Sequence, residues 1–364
     1  MLQEKQHDFE QKVTLLRKLL IQKKAQGILL TQHHHFSWLM GGRSFIGLTA
    51  PAASGSILIT TDAVYLITDN IEAERLYLEQ CGQNPSIQIK AYPWHQLEMR
   101  EVLIHQLCPQ GLLTEDDVAK ELLDLRTVLT PYDISCFRDI CKTTAEVLED
   151  VCRTVRAGMT EYELGGELAK RMWANNLEPI TLLIGFDERA HHFRHPVLNG
   201  AVLKNYALVA VCCRRNGLIT SITRIVALKD PGEEIKHRQR VAAYVDATMQ
   251  AATKPGAKLS EILKKCQDAY AQQGMEGQWQ FHHQGGLTGW NTREIKAMPH
   301  EDHQVRLNEV YAWNPSCQGV KVENTTLVTP NGVEFLTHTG NYPYIEVEID
   351  GKTYYEEDIL VLRP

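Results

Sequence analysis

From Leu208 to Val226 the chain reads LVAVCCRRNGLITSITRIV, an apolar stretch broken once by Arg214-Arg215-Asn216-Gly217. The pattern predicts two strands, 205–213 and 217–228, joined as a ribbon with the two arginines solvated beside its tip. Cys212 and Cys213 then point to opposite faces, because side chains alternate along a strand. The ribbon contains neither Asp nor Glu. Nothing in it offers a hard, charged oxygen to a divalent cation.

The rest of the chain bounds the fold class. At 364 residues it is long enough for two domains, and 43% apolar content supplies sizeable cores. A net charge of −7 argues against a phosphate-backbone binder, so no nucleic-acid partner is expected. No run of about 18 uncharged apolar residues exists to span a membrane. The opening MLQEKQHDFEQKVTLLRKLL mixes both charge signs and lacks a signal-peptide apolar core. It reads as an amphipathic surface helix. The nine cysteines form no C-x-x-C pair, which disfavours disulfide scaffolds and zinc ribbons. Reduced core thiols and a cytoplasmic setting are expected.

Two regions differ in pattern. Up to residue 131, helical periodicity at 8–25 alternates with strands at 27–31, 55–68 (a hairpin about Thr61-Asp62) and 87–92. Helices are expected at 70–81 and 95–107. No glycine-rich phosphate loop follows a strand, so this is an α/β sandwich and not a dinucleotide-binding unit. From 132 to 364 a long helix is predicted over 133–157. Thr160-Glu161-Tyr162-Glu163 is a capping box that opens a second helix to about Asn175. Further helices fit 233–253 and 259–273. Strands fit 308–314, 324–329, 333–337 and 344–350 besides the ribbon. Two helix pairs, each with antiparallel strands, make an internal pseudo-repeat.

This layout resembles the creatinase / aminopeptidase P / methionine aminopeptidase superfamily. That resemblance implies a C-terminal pita-bread domain (132–364) and a smaller N-terminal α/β creatinase-like domain (1–131). Gly158-Met159-Thr160-Glu161 resembles the superfamily's G-M-T-E helix junction. GILLTQHHHFSWLMGG, from Gly27, resembles the way into its N-terminal domain. KVENTTLVTPNGVEFLT, 321–337, is similar to the ending of aminopeptidases P. In the metallopeptidases the ribbon and later strands carry two Asp, one His and two Glu that hold a pair of divalent metals. Carried across, these positions fall on Ala210, Ser221, Gly286, Asn314 and Glu323. Only Glu323 keeps a ligand side chain. One carboxylate cannot hold two divalent ions, so no metal and no cofactor is expected.

Creatinase, on the same fold, cleaves a C–N bond without metal through a histidine and carboxylates. Its histidine segment resembles Arg194-His195-Pro196-Val197, with His192 a competing match. His195 is therefore a candidate general acid/base, with Glu323 and His283 beside it in the catalytic set. A buried lone carboxylate is costly, so Glu323 needs a partner among Lys321, Arg224 and a cleft histidine. Arg194, as a guanidinium fork, is a candidate carboxylate clamp. His192, His282, Gln284 and Asn314 lie in segments that converge on this fold's cleft and are candidate substrate contacts. His282 and His283 are adjacent, so one should face the cleft and the other should pack, with His283 the inward one. Arg43 resembles a creatinase arginine that reaches the partner subunit's active site. Arg224 reads as structural, His33-His34-His35 as a loop or cleft rim, and Trp290, Tyr311 and Trp313 as core or cleft wall. The resemblance also implies a homodimer.

Three functions remain open on these residues. The first is a metal-independent hydrolase of a small amide, amidine or Xaa-Pro-like bond, using His195, Glu323 and Arg194. The second is a pseudopeptidase that binds a small molecule, short peptide or protein. The third is a single-metal hydrolase on His195, His283 and Glu323.

Overall fold

A computed structural model describes residues 2–362. The chain divides into two compact units: residues up to Tyr132 with Asn216–Leu218, and Asp133–Arg215 with Ile219 onward.

The first unit is built on a five-stranded sheet. Its order is Ile87–Tyr92, Val64–Asp69, Ala52–Thr60, Gly27–Gln32 and Leu112–Thr114. The hairpin turning at Thr61-Asp62 is present, closed by Thr60 Oγ1, which donates to Asp62 Oδ1 at 2.8 Å. The opening helix is longer than its periodicity predicts, Leu2–Lys23. The expected helix over 70–81 is a short turn, Ala73–Arg75, that widens into a π turn at Leu76–Gln80. His33-His34-His35 do not form a loop or rim; they open the helix His33–Met40. His35 is buried, with Nδ1 2.6 Å from Glu115 Oε1 and Nε2 2.8 Å from the Arg126 guanidinium. Glu115 also accepts from the Gln32 amide at 3.0 Å and Thr31 Oγ1 at 2.6 Å. Those carboxylate bonds fix the strand-to-helix step, a sequence-remote partner that local periodicity does not reveal. Arg43 belongs to this unit, where its backbone N–H donates to Gln80 Oε1 at 2.7 Å.

The second unit repeats one plan twice. Helices Pro131–Cys152 and Glu161–Ala174 precede a sheet of Glu178–Phe186, Tyr206–Arg215, Leu218–Ala227 and the short Leu360–Val361. Helices Glu233–Ala252 and Leu259–Gln272 precede a sheet ordered Ile295–Lys296, Gly285–Thr288, Val310–Trp313, Asn324–Thr329 and Gly332–Phe335. The capping box forms: Thr160 Oγ1 accepts from the Glu163 amide at 3.1 Å, and Glu163 accepts from the Thr160 amide at 2.7 Å. The ribbon turns at Asn216-Gly217, both with positive φ (51° and 93°), the geometry of a tight two-residue hairpin. Cys213 packs on Met172 while Cys212 faces Ser221, so the two thiols do diverge. All nine cysteines are free thiols. Among the described residues no helix is long and apolar enough to cross a membrane.

Two buried polar knots fasten the repeat. Arg224, 1% exposed, spends its guanidinium on Glu149, Glu357, Asn324 and the carbonyls of Thr223 and Thr337. Its role is structural, and it is not the partner of Glu323. Nearby, Asp246 and Glu356 lie fully buried, carboxyl to carboxyl, and Asp246 Oδ2 accepts from Gln250 Nε2 at 3.1 Å. Burial pushes Asp246 up to about 7 and Glu356 well above the usual carboxylate range. Folding therefore favours the protonated form of both carboxyls relative to the unfolded chain.

An acid whose pKa rises on folding stabilises the fold at low pH and loses that contribution as pH climbs through the folded value. Wild type, compared with Asp246→Asn, should accordingly lose stability as pH rises from 3.8 toward about 7. The slope is about 1.4 kcal/mol per pH unit for one proton. Urea denaturation of both proteins across that range checks it; a pH-independent difference would show that no proton is shared.

Candidate functional site

His195 lies in the long loop between strands Glu178–Phe186 and Tyr206–Arg215, and two carboxylates hold that loop in place. Glu161, buried, accepts from the amides of Phe186 and Asn199 and from Arg189 Nε, at 3.2, 2.9 and 2.8 Å. Asp187 accepts from the successive amides of Lys204, Asn205 and Tyr206 at 2.8–3.0 Å. The Ile184 amide donates to the Pro196 carbonyl at 3.0 Å, fixing the residue next to His195 against the strand. A solvent-facing imidazole is thus carried on a pinned backbone.

His282 and His283 follow the one-turn helix Gln278–Phe281. Gln284 locks that turn: its amide donates to the carbonyls of Trp279 and His282, and its Oε1 accepts from Tyr270 Oη at 3.2 Å. Gln284 is therefore spent on the core and does not reach the cleft. The two histidine rings do not diverge as adjacent strand residues would. They stack, centroids 4.5 Å apart and planes 23° from parallel. The strand that would have separated them begins only at Gly285. His283 faces the pocket; His282 is buried behind it, its Nε2 3.0 Å from His195 Nε2.

Glu323 sits just before the strand Asn324–Thr329, tied to the ribbon by the Thr223 amide, which donates to its carbonyl at 3.1 Å. Its carboxylate is fully engaged. Lys321 Nζ lies 2.9 Å from Oε2, and Thr223 Oγ1 donates to the same oxygen at 2.7 Å. Arg293 reaches Oε1 at 3.1 Å, with Asn314 Nδ2 at 3.5 Å. The same guanidinium donates to Ser221 Oγ at 3.2 Å. Burial alone would raise the Glu323 carboxyl, but Lys321 and Arg293 outweigh it and bring it down to about 2.

His195, His283, Arg293, Lys321 and Glu323 line one pocket of about 340 Å³, with Lys296, Cys212, Ala210 and Asn314 also on its wall. Arg293, Lys296 and Lys321 face the single carboxylate Glu323, so the pocket is net positive. Burial and these cations keep the imidazoles neutral. His282 is held at about 2, by burial and then Lys321; His283 at about 4, by burial and then Arg293. His195 is also lowered, by burial and then Lys321. The other sequence candidates lie off this pocket's wall. His192 is 65% exposed and turns its Nδ1 back to its own helix, 2.6 Å from the Glu188 carbonyl. Arg194 donates to Gln278 Oε1 at 2.7 Å, bracing the turn before His282. Sequence reasoning missed Arg293 and Lys296. The usable signal was electrostatic: a buried carboxylate without metal needs a cation beside it, and Arg293 is seven positions beyond Gly286.

The five positions assigned to a metal pair do not fit one. Ala210 and Gly286 offer no donor, Ser221 and Asn314 only neutral ones, and Glu323 is already neutralised. Arg293 spans two of the five positions, Ser221 and Glu323. The His195, His282 and His283 ring nitrogens, within 4.8 Å of one another, form a set of the kind that suits one late transition ion. Lys321, Arg293 and Lys296 oppose a dication there by simple repulsion.

Comparison with known proteins agrees with the architecture. Residues 135–330 match the profile of metallopeptidase family M24. An uncharacterized peptidase of Staphylococcus haemolyticus is 23% identical over 237 residues, spanning 63% of this chain and 67% of its own. A Xaa-Pro dipeptidase of Pyrococcus furiosus is 23% identical over 321 residues, spanning 80% of this chain and 89% of its own. The crystal structure of the prolidase from Pyrococcus horikoshii OT3 superposes with a TM-score of 0.74 at 18% identity, covering 90% of this chain and 98% of that one. The fold is the pita-bread fold with its smaller N-terminal domain.

Gly286, the position that the resemblance assigns to the metal-binding histidine, has no room for a side chain. A Cβ there would lie 2.1 Å from the Ile295 carbonyl oxygen, and its φ is +152°. We expect Gly286→His to destabilise the protein by several kcal/mol, about the scale of a forced backbone shift, without restoring a metal site. Thermal melts with and without Mn²⁺ check this. A stable variant that gains Mn²⁺-dependent stability would contradict it.

Proposed function

The chain belongs to metallopeptidase family M24, and we propose that it works without the family's metal pair, as a pseudopeptidase that binds a small molecule or short peptide in the Glu323 pocket. The observation that carries this reading is the clamp on Glu323. Its two oxygens are taken up by Lys321, Arg293 and Thr223, so the one surviving ligand position is charge-balanced from within the chain. The relatives named Xaa-Pro dipeptidase make a short peptide the natural first ligand to try.

A metal-independent hydrolase is the second reading, favoured by one observation: the His195–His282 hydrogen bond at 3.0 Å, with His195 open to solvent. Such a pair would let a proton taken by His195 be shared with His282. Two features weigh against it. General bases work best with a pKa near the operating pH, whereas burial and then Lys321 lower His195 below the ordinary imidazole range. And Glu323, expected to orient His195, is instead bonded to Lys321, Arg293, Thr223 and Asn314. The carboxylate–imidazole couple of the hydrolase reading is therefore not assembled.

The test is a panel of amides, amidines and Xaa-Pro dipeptides, assayed for turnover in EDTA and then with Mn²⁺ or Zn²⁺, alongside thermal shifts with the same compounds. We expect thermal shifts without turnover, unchanged in His195→Ala. Turnover in EDTA that falls about 10²–10⁴-fold in His195→Ala, the usual worth of a general base, would establish the hydrolase instead. Turnover only with added metal would overturn both.

A further inference from the structure

Several groups on the wall of the Glu323 pocket keep hydrogen-bonding capacity that the chain does not use. Among the described residues, the side chains of Thr181, Thr292 and Lys296 line this pocket and make no hydrogen bond or ion pair with the protein. Thr181 and Thr292 are half-buried and Lys296 is exposed, so a solute in the pocket reaches them. Lys321, on the same wall, gives one of its three N–H donors to Glu323 and has two left.

The charge of the pocket sets the charge of its guest. Arg293, Lys296 and Lys321 are its three cations and Glu323 its one carboxylate, which leaves two positive charges over. The neighbouring rings register that surplus. Beyond the effect of burial, Lys321 and Lys296 push His195 down, and Arg293 and Lys296 push His283 down. A volume of about 340 Å³ is near the lower end of small-molecule sites, about 300–1,000 Å³, so one small guest meets all of these charges. Shape then separates the anions. A carboxylate is planar, singly charged and best held by a guanidinium fork. The Arg293 fork is already spent, NH1 on Ser221 and the Thr292 carbonyl and NH2 on Glu323. What remains are ammonium and hydroxyl donors carried by separate segments. Thr181 comes from strand Glu178–Phe186, Thr292 from the turn after Gly285–Thr288, Lys296 from Ile295–Lys296 and Lys321 from Val320–Lys321. Point donors on separate segments suit a tetrahedral group with three terminal oxygens, and lysine binds phosphate as a point charge in this way. A phosphomonoester carries about −1.5 to −2 at neutral pH, which matches the surplus.

We propose that this pocket binds a phosphoryl dianion, inorganic phosphate or a small phosphomonoester, held by Lys296 and Lys321 and by the Thr181 and Thr292 hydroxyls. The proposal rests on the metal-free reading of the same pocket and names a ligand class outside peptides. The charge of Glu323 is already offset, because its oxygens bond Lys321, Arg293 and Thr223. The phosphoryl oxygens take up the donors that the chain leaves open.

Isothermal titration in EDTA at about pH 8 tests it, with inorganic phosphate, phenyl phosphate, dimethyl phosphate and acetate. A phosphomonoester is dianionic there, its second pKa being about 6, whereas dimethyl phosphate and acetate carry one charge. The expected result is that inorganic phosphate or phenyl phosphate binds at least about tenfold tighter than either monoanion; which of the two binds separates the free ion from an ester. Lys296→Ala removes an exposed, unpaired side chain and should weaken binding about tenfold or more, the worth of one charge-assisted hydrogen bond, with the melting temperature unchanged. Lys296→Arg should restore most of that loss. Lys265→Ala removes an exposed ammonium from helix Leu259–Gln272 and should leave binding unchanged, which separates a local site from net charge. Equal binding of monoanions and dianions, or an equal loss in Lys265→Ala and Lys296→Ala, would overturn the dianion assignment. So would no binding of either phosphate with or without Mn²⁺, an outcome that leaves the metal-free reading standing. Phosphate binding that appears only after Mn²⁺ is added would overturn the metal-free reading itself.

Discussion

The ion cluster at Glu323 governs the chemistry available to this protein. A buried carboxylate without compensation is among the most expensive things a fold can contain. Here Lys321 and Arg293, each at most 7% exposed, lie 2.9 and 3.1 Å from it. Removing one partner of such a buried cluster costs about 3–5 kcal/mol because the remaining charges are stranded. The cluster is also mechanical. The Thr223 amide and hydroxyl tie Glu323 to the ribbon, and Arg293 adds Ser221 from the same strand. One set of contacts joins the two sheets of the repeat and fixes the charge of the pocket.

The rest of the site follows from that charge. Cations beside these imidazoles disfavour a second positive charge, so the three histidines stay neutral; His282 and His195 share one hydrogen bond and His283 stacks on His282. Neutral rings beside ammonium and guanidinium groups make a pocket that attracts an anion and repels a dication. The residues at the positions that the resemblance assigns to metal ligands are mutually consistent in this light. Ala210 and Gly286 remove donors, Ser221 and Asn314 become hydrogen-bond partners of Arg293 and Glu323, and the steric closure at Gly286 leaves no place for a replacement side chain.

The sequence made the C-terminal unit legible wherever local chemistry sets the structure. The capping box at Thr160, the ribbon tip at Asn216-Gly217 and the helix break around Pro255 all involve residues within a few positions of one another. The ligand positions were readable for the same reason, since they sit in short motifs. What stayed hidden depends on partners far along the chain. His35 enters a helix because Glu115 waits for it, and Arg293 matters because Glu323 is thirty residues on. The strand Glu178–Phe186 escaped because EPITLLIGF is a short apolar run without alternation, broken by an irregular register at Pro179. The stacking of His282 on His283 was hidden because the strand that would splay adjacent side chains starts only after them.

The central claim is that side-chain cations stand where the resemblance to this family places a metal pair. Elemental analysis of tag-free protein tests it most directly, after incubation with Mn²⁺, Co²⁺ or Zn²⁺ and removal of unbound ions by gel filtration. The account predicts retained metal far below one ion per chain, unchanged in His282→Ala. Two ions per chain lost in Glu323→Ala, or one ion per chain lost in His282→Ala, would contradict it.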